Sequence, residues 1–197
     1  MANRRVDPIR EKKKIVAIKN YLKREDKFRD YCLFACGINF GLRISDLLQI
    51  QVRDVRNSLF EIKDTFEIRE QKTGKFNVIA INNKAKEAID YLFSNTNVSN
   101  NLNNYLFYNT LKKDGKTKIT IVHANNLVKK WCRNVGLTNI KVGNHTLRKT
   151  FGYHAWKNGV SIEVLQKKFK HTSISTTRLY LGIEEKEVVK SYHKLDL

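Results

Sequence analysis

Apolar residues in this chain recur at helical spacing except between Leu59 and Asn82, where they alternate, so the fold is limited to a mainly helical domain carrying one small sheet. The alternation runs through Phe60 and Ile62, then Phe66 and Ile68, then Phe76, Val78 and Ala80 on one parity with Ile79 and Ile81 on the other. Lys72-Thr73-Gly74-Lys75 falls between two of these runs and reads as a hairpin tip. Before the sheet, Asp7 and Pro8 read as the N-cap and first position of a helix over residues 7–24. A second helix over 28–40 stops at Gly41, and a short one follows over 45–50. After the sheet, Asn83 is expected to cap a helix over 83–93, and the Asn- and Ser-rich stretch 94–104 to form a mobile loop. Helices are then expected over 121–134, 146–158, 161–169, 175–181 and, as a tail, 184–194. None has the length of a separate domain, so the predicted class is α+β, mainly α-helical with a small antiparallel β-sheet, as one domain over 1–197.

Thirty-eight Lys and Arg stand against nineteen Asp and Glu, a net charge of +19 spread along the whole chain. Such an excess on a folded domain suits a nucleic acid, because each neutralised phosphate releases counterions and adds affinity. An acidic membrane surface is the rival, but the chain shows no lipidation signal and no strongly amphipathic basic helix. No run approaches the roughly 18 apolar residues that a membrane helix requires. The basic start Met1-Ala2-Asn3-Arg4-Arg5 lacks the apolar core of a secretory signal, so a cytoplasmic, DNA-associated protein is expected. The three cysteines include no Cys-x-x-Cys pair, and Cys32 and Cys36 lie four apart in an apolar helical pattern, as buried hydrophobes do. Neither a disulfide nor a metal framework is expected.

Three segments hold candidate chemistry. His145 and Arg148 lie three apart at the start of a helix, where they share a face and can reach one phosphate beside the backbone donors of the helix N-terminus. Taken alone, such a pair is more often a solvated helix face. Arg43 sits next to Gly41 at a helix junction between apolar Leu42 and Ile44, so it requires an anion, either a phosphate or a structural acid such as Asp46. The closing run Phe169-Lys170-His171-Thr172-Ser173-Ile174-Ser175-Thr176-Thr177-Arg178-Leu179-Tyr180 places a histidine, a Ser/Thr-rich turn and a tyrosine in succession.

Together and in this order, Gly-Leu-Arg, His-x-Leu-Arg and Thr-Thr-x-x-Tyr resemble the phage integrase family of tyrosine recombinases, over nearly the whole chain. By that resemblance Arg43 is similar to the family's first catalytic arginine, His145 and Arg148 to its His-x-x-Arg pair, and His171 to its second histidine. Lys72 is similar to its hairpin lysine, with Lys75 on the same turn as the competing choice, and Tyr180 to its nucleophile. The resemblance implies cleavage and rejoining of double-stranded DNA through a 3′-phosphotyrosine, for integration, excision or multimer resolution, with self-association on DNA by exchange of the tail.

The residue types suit that chemistry. Making phenolate at pH 7 from a tyrosine of pKa near 10 costs about 4 kcal/mol, which nearby cations or a base must offset. Two arginines do much of this and stabilise charge building on phosphorus, while histidine and lysine move protons. One phosphodiester is exchanged for another, so neither ATP nor a divalent cation is called for.

Two positions depart from the family pattern: Lys170 stands where glycine is usual, and Asp46 where glutamate is common. Some forty residues precede Arg43, which reads as a catalytic domain without the family's N-terminal DNA-clamping domain. The tail, with Glu184, Glu185 and Glu187 opening an apolar stripe of Val188, Val189, Tyr192 and Leu195, is expected to dock either on its own domain or on a neighbouring copy. Two other activities fit the basic surface: type IB topoisomerase-like relaxation, which uses similar chemistry, and DNA binding without catalysis, which has no use for Tyr180.

Overall fold

The computed structural model describes residues 6–112 and 114–183, so the expected tail helix, with Glu184, Val188 and Tyr192, lies outside the described residues. In chain order these comprise α1 (Lys12–Arg24), α2 (Phe28–Phe40), α3 (Ile44–Leu47), α4 (Val52–Val55), β1 (Thr65–Arg69), β2 (Phe76–Ala80) and α5 (Asn83–Asn95). A 3-10 helix (Asn97–Asn100) then leads to α6 (Ile121–Asn134), α7 (Thr146–Lys157), α8 (Ile162–Phe169) and α9 (Ile174–Leu181). β1 and β2 form a two-stranded antiparallel sheet with Thr65 opposite Ala80 and Arg69 opposite Phe76. No helix among the described residues is long and apolar enough to cross a membrane.

α2 is the axis. Ten of its thirteen residues are buried, so it is covered all round, by α1, α5 and α7. Cys32 and Cys36 are buried free thiols within it. Gly37 allows the close approach of α7, since a Cβ there would lie 2.5 Å from Leu147 Cδ1. Gly41 closes the helix at φ 61°, a left-handed conformation suited to glycine, and a Cβ there would run into the Phe151 ring.

A second, smaller apolar cluster of Leu165, Phe169 and Leu181 joins α8 and α9 to the far end of α7, with Phe151, Trp156, Tyr180 and Ile183 packed on it. Gly152 is the contact point: a Cβ there would lie 2.5 Å from Leu181 Cδ2 and 2.7 Å from Phe169 Cε2.

Several expected boundaries move, each for a local reason. The first helix begins at Lys12 and not at Asp7. Asp7 is tied to Lys141 by backbone and carboxylate bonds of 2.7 and 2.8 Å, and the N–H of fully buried Ile9 donates to Thr150 Oγ1. Tertiary partners thus take the backbone groups that a helix start requires. The expected helix over 45–50 is shortened to α3, and α4 is a further, unexpected turn beyond it, opened by a capping box between Gln51 and Asp54. Phe60 is on no strand: Asn57 Oδ1 accepts from the N–H groups of Leu59 and Glu61, making a turn with Phe60 at φ 65°, and Ile62 keeps a single bridge to Arg56. Asn82, and not Asn83, caps α5, its Oδ1 accepting from Ala85 N at 3.0 Å. The Asn-rich stretch 94–104 is built from the end of α5 and the 3-10 helix, and buried Asn104 donates to the carbonyl of buried Val98 at 2.9 Å.

Candidate active site

The chain turns that hold the two arginines are made by the core. Arg43 is the N-cap residue of α3, two residues after the left-handed turn at Gly41, and Arg148 lies in the first turn of α7, which packs on α2. Arg148 is 4% exposed. Its Nη1 donates to the Gly41 carbonyl at 2.6 Å and its Nη2 to the Phe169 carbonyl at 3.4 Å, while the guanidinium stacks 4.6 Å over the Phe169 ring. Three chain segments therefore fix one cation.

Tyr180 reaches this cation from α9. Its hydroxyl lies 3.2 Å from Nδ1 of His145, which precedes the first residue of α7. Burial pushes the phenol up, while the charges of Arg148 and Arg43 and a hydrogen bond from Arg148 pull against that rise. His145 is moved the other way: burial and then the charges of Arg148, Lys149, Arg43 and Lys72 hold it below the usual histidine value. Around neutrality the phenol is thus protonated and the imidazole neutral, and the two groups lie within hydrogen-bond distance of one another.

His171 completes the ring. It follows Lys170, which ends α8 at φ 57°, and its Nδ1 lies 3.1 Å from Thr177 Oγ1 one helix further on. Its ring meets that of Tyr180 edge-on at 4.8 Å. Burial, Arg148 and Arg43 together lower its pKa as well. Lys72 stands exposed on the hairpin tip, close enough for its charge to lower the pKa of His145. His145, Arg148, His171 and Tyr180 thus meet directly, while the charges of Arg43, from the α2–α3 junction, and Lys72, from the hairpin, act on His145.

Sequence reasoning missed three neighbours. Glu70 is 1% exposed and pairs with Arg43 at 3.0 Å, nearer than Asp46 at 3.8 Å. Asp46 has another task, since its Oδ1 accepts from Gln71 N at 3.0 Å and anchors the hairpin. Lys149 is buried with its Nζ 4.9 Å from the Tyr180 ring centre. Lys170, noted in sequence only as a replacement for glycine, reaches Glu70 at 3.0 Å. The available signal for Glu70 was its place one residue past β1, where the inward parity of Phe66 and Ile68 continues.

Comparison with known proteins agrees with this geometry. The phage integrase family model matches residues 9–187. A probable integrase/recombinase, YoeC, of Bacillus subtilis (strain 168) is 39% identical over 189 residues, covering 95% of each chain. Tyrosine recombinase XerA of Pyrococcus furiosus is 30% identical over 174 residues, which are 88% of this chain and 57% of that relative, so the chain spans little more than half of such longer recombinases. Among solved structures, a XerA recombinase superposes with a TM-score of 0.74 at 18% identity, over 97% of this chain and 66% of that one. A lambda integrase dimer bound to a COC′ core site superposes with a TM-score of 0.67 at 14% identity, over 92% and 60%. At these identities the structures share the fold.

Proposed function

We propose, from the premise that this chain belongs to the phage integrase family, that it cleaves and rejoins double-stranded DNA at specific sites through a 3′-phosphotyrosine on Tyr180. The observation that carries the reading is the Tyr180 hydroxyl held 3.2 Å from Nδ1 of His145 beside a buried arginine. Tyr180 Oη attacks the scissile phosphorus, its proton passing to His145, and the Tyr180 O–P bond forms as the bond from phosphorus to the 5′ oxygen breaks. Lys72 gives a proton to the departing 5′ oxygen, and rejoining is the same sequence reversed with a 5′ hydroxyl as nucleophile. Arg43 and Arg148 hold the non-bridging oxygens as charge grows on them, and His171 hydrogen-bonds the phosphate. The net charge of +19 supplies sequence-independent affinity for the duplex.

On this reading the chain is a catalytic domain that acts in the cytoplasm on integration, excision or multimer resolution and assembles with other copies on DNA through its tail after residue 183. The test is covalent capture from a pool of nicked duplexes with a randomised core. The unaltered chain is expected to form an adduct that survives denaturation and forms in EDTA, and Tyr180→Phe to bind the pool equally and form none. Equal adduct from Tyr180→Phe, or strict dependence on added Mg²⁺, would contradict the reading.

A further inference from the structure

Beyond the six groups already placed, one buried carboxylate ties together three of the segments that hold them. Glu70 Oε2 accepts from Arg43 Nη1 at 3.0 Å and from Thr73 Oγ1 at 2.9 Å, while its Oε1 takes Lys170 Nζ at 3.0 Å and Asn77 Nδ2 at 3.1 Å. Arg43 belongs to the α2–α3 junction, Thr73 and Asn77 flank the hairpin tip that bears Lys72, and Lys170 directly precedes His171. A carboxylate has about four lone-pair sites, so these four donors fill it. Glu70 is held ionised: burial pushes its carboxyl up, but the bonds from Lys170, Thr73 and Arg43 outweigh this and bring it to about 2. A buried charge is tolerated when it is fully paired, and removal of one partner then disturbs all the others. Lys170 makes its bond from φ 57°, a left-handed backbone position that a side chain with a Cβ rarely adopts.

Resting on the DNA-cleavage reading above, we propose that Glu70 is a positioning residue that seats Arg43, Lys72 and the His171 turn around one phosphate, with Lys170 as the strut joining that turn to it. Glu70 itself touches no reacting atom. It also sets the spacing of Arg43 and Lys170, two cations that would otherwise repel each other.

Glu70→Gln keeps the shape and removes the charge. The probe is a nicked duplex of a sequence recovered by covalent capture, made once with the natural 5′ oxygen and once with sulfur in that bridging position. Sulfur leaves as a thiolate without a proton from Lys72, because a thiol ionises at a pKa near 8.5. In single-turnover cleavage at saturating DNA, Glu70→Gln should be at least roughly tenfold slower on the oxygen substrate with DNA affinity within about twofold of the unaltered chain, and the deficit should shrink at least about threefold on the sulfur substrate. Lys170→Met, which keeps the stem and the backbone demand, should cleave several-fold more slowly when assayed well below its melting temperature, and serves alone if Glu70→Gln does not fold. Cleavage at the unaltered rate by either variant, or an equal deficit of Glu70→Gln on both substrates, would overturn the proposal while leaving the functional reading in place. Absence of any adduct from the unaltered chain would overturn both.

Discussion

The two apolar clusters of this protein divide the candidate active site unequally. The large one, centred on α2, supports Arg43, the hairpin with Lys72, and the start of α7 with His145 and Arg148. The small one, with Leu165, Phe169 and Leu181 at its centre, supports His171 and Tyr180. On the proposed reading, the cations that would grip a phosphate are set on the large cluster, and the nucleophile on the one with little apolar area among the described residues. Local opening free energies follow such differences in buried contact, so the α8–α9 unit is expected to open at lower cost than the elements around α2.

The largest effect expected from this division is on stability. Phe34 is fully buried in α2 and meets Trp131 edge-on at 5.9 Å. Phe34→Ala should cost about 3–5 kcal/mol and lower the melting temperature by roughly 6–20 °C, while cleavage measured well below the melt stays near that of the unaltered chain. Loss of cleavage in molecules that remain folded would erase the distinction between the two clusters.

The converse break is Gly152→Val. The added side chain would meet Leu181 and Phe169 at a site where even a Cβ lies at 2.5 and 2.7 Å. It should push α8 and α9 from α7 and separate Tyr180 from His145. Cleavage is expected to fall by about 10²-fold, the order of loss that a displacement near 1 Å produces, with DNA binding and amide protection of α2 retained. Unchanged cleavage would show that the small cluster does not seat the nucleophile.

A smaller effect separates the proton acceptor from the rest. Burial and its cationic neighbours hold His145 below 6.5, so its neutral form prevails at pH 7. Single-turnover cleavage should therefore be flat downward from pH 7 to the depressed value and fall about tenfold per pH unit beneath it, as the imidazole takes up a proton and can no longer accept one from Tyr180. An acid limb starting above pH 6.5 would assign the base to a group other than His145.

Much of this was legible in sequence, in particular ways. The stop of α2 at Gly41 and the span of α6 follow from apolar period and helix-end chemistry, and both are found. The six site residues stood out because each lies in a short local pattern. Glu70 did not, because its meaning depends on Arg43, 27 residues away, and on Lys170 further still. The start of α1 was misplaced for a similar reason: Asp7 looks like a cap locally, but its bonds go to Lys141. Local patterns carry propensity and parity, whereas long-range pairs that override them are visible only once the chain is folded.

The measurement that reaches the central claim most directly is the identity of the linked atoms in the covalent adduct. After capture on a nicked duplex, digestion of the protein and mass spectrometry of the nucleotide-bearing peptide should place the DNA on Tyr180 through its 3′ phosphate, with a free 5′ hydroxyl on the other strand end. Attachment at a different residue, such as Tyr153, or linkage through a 5′ phosphate would contradict it.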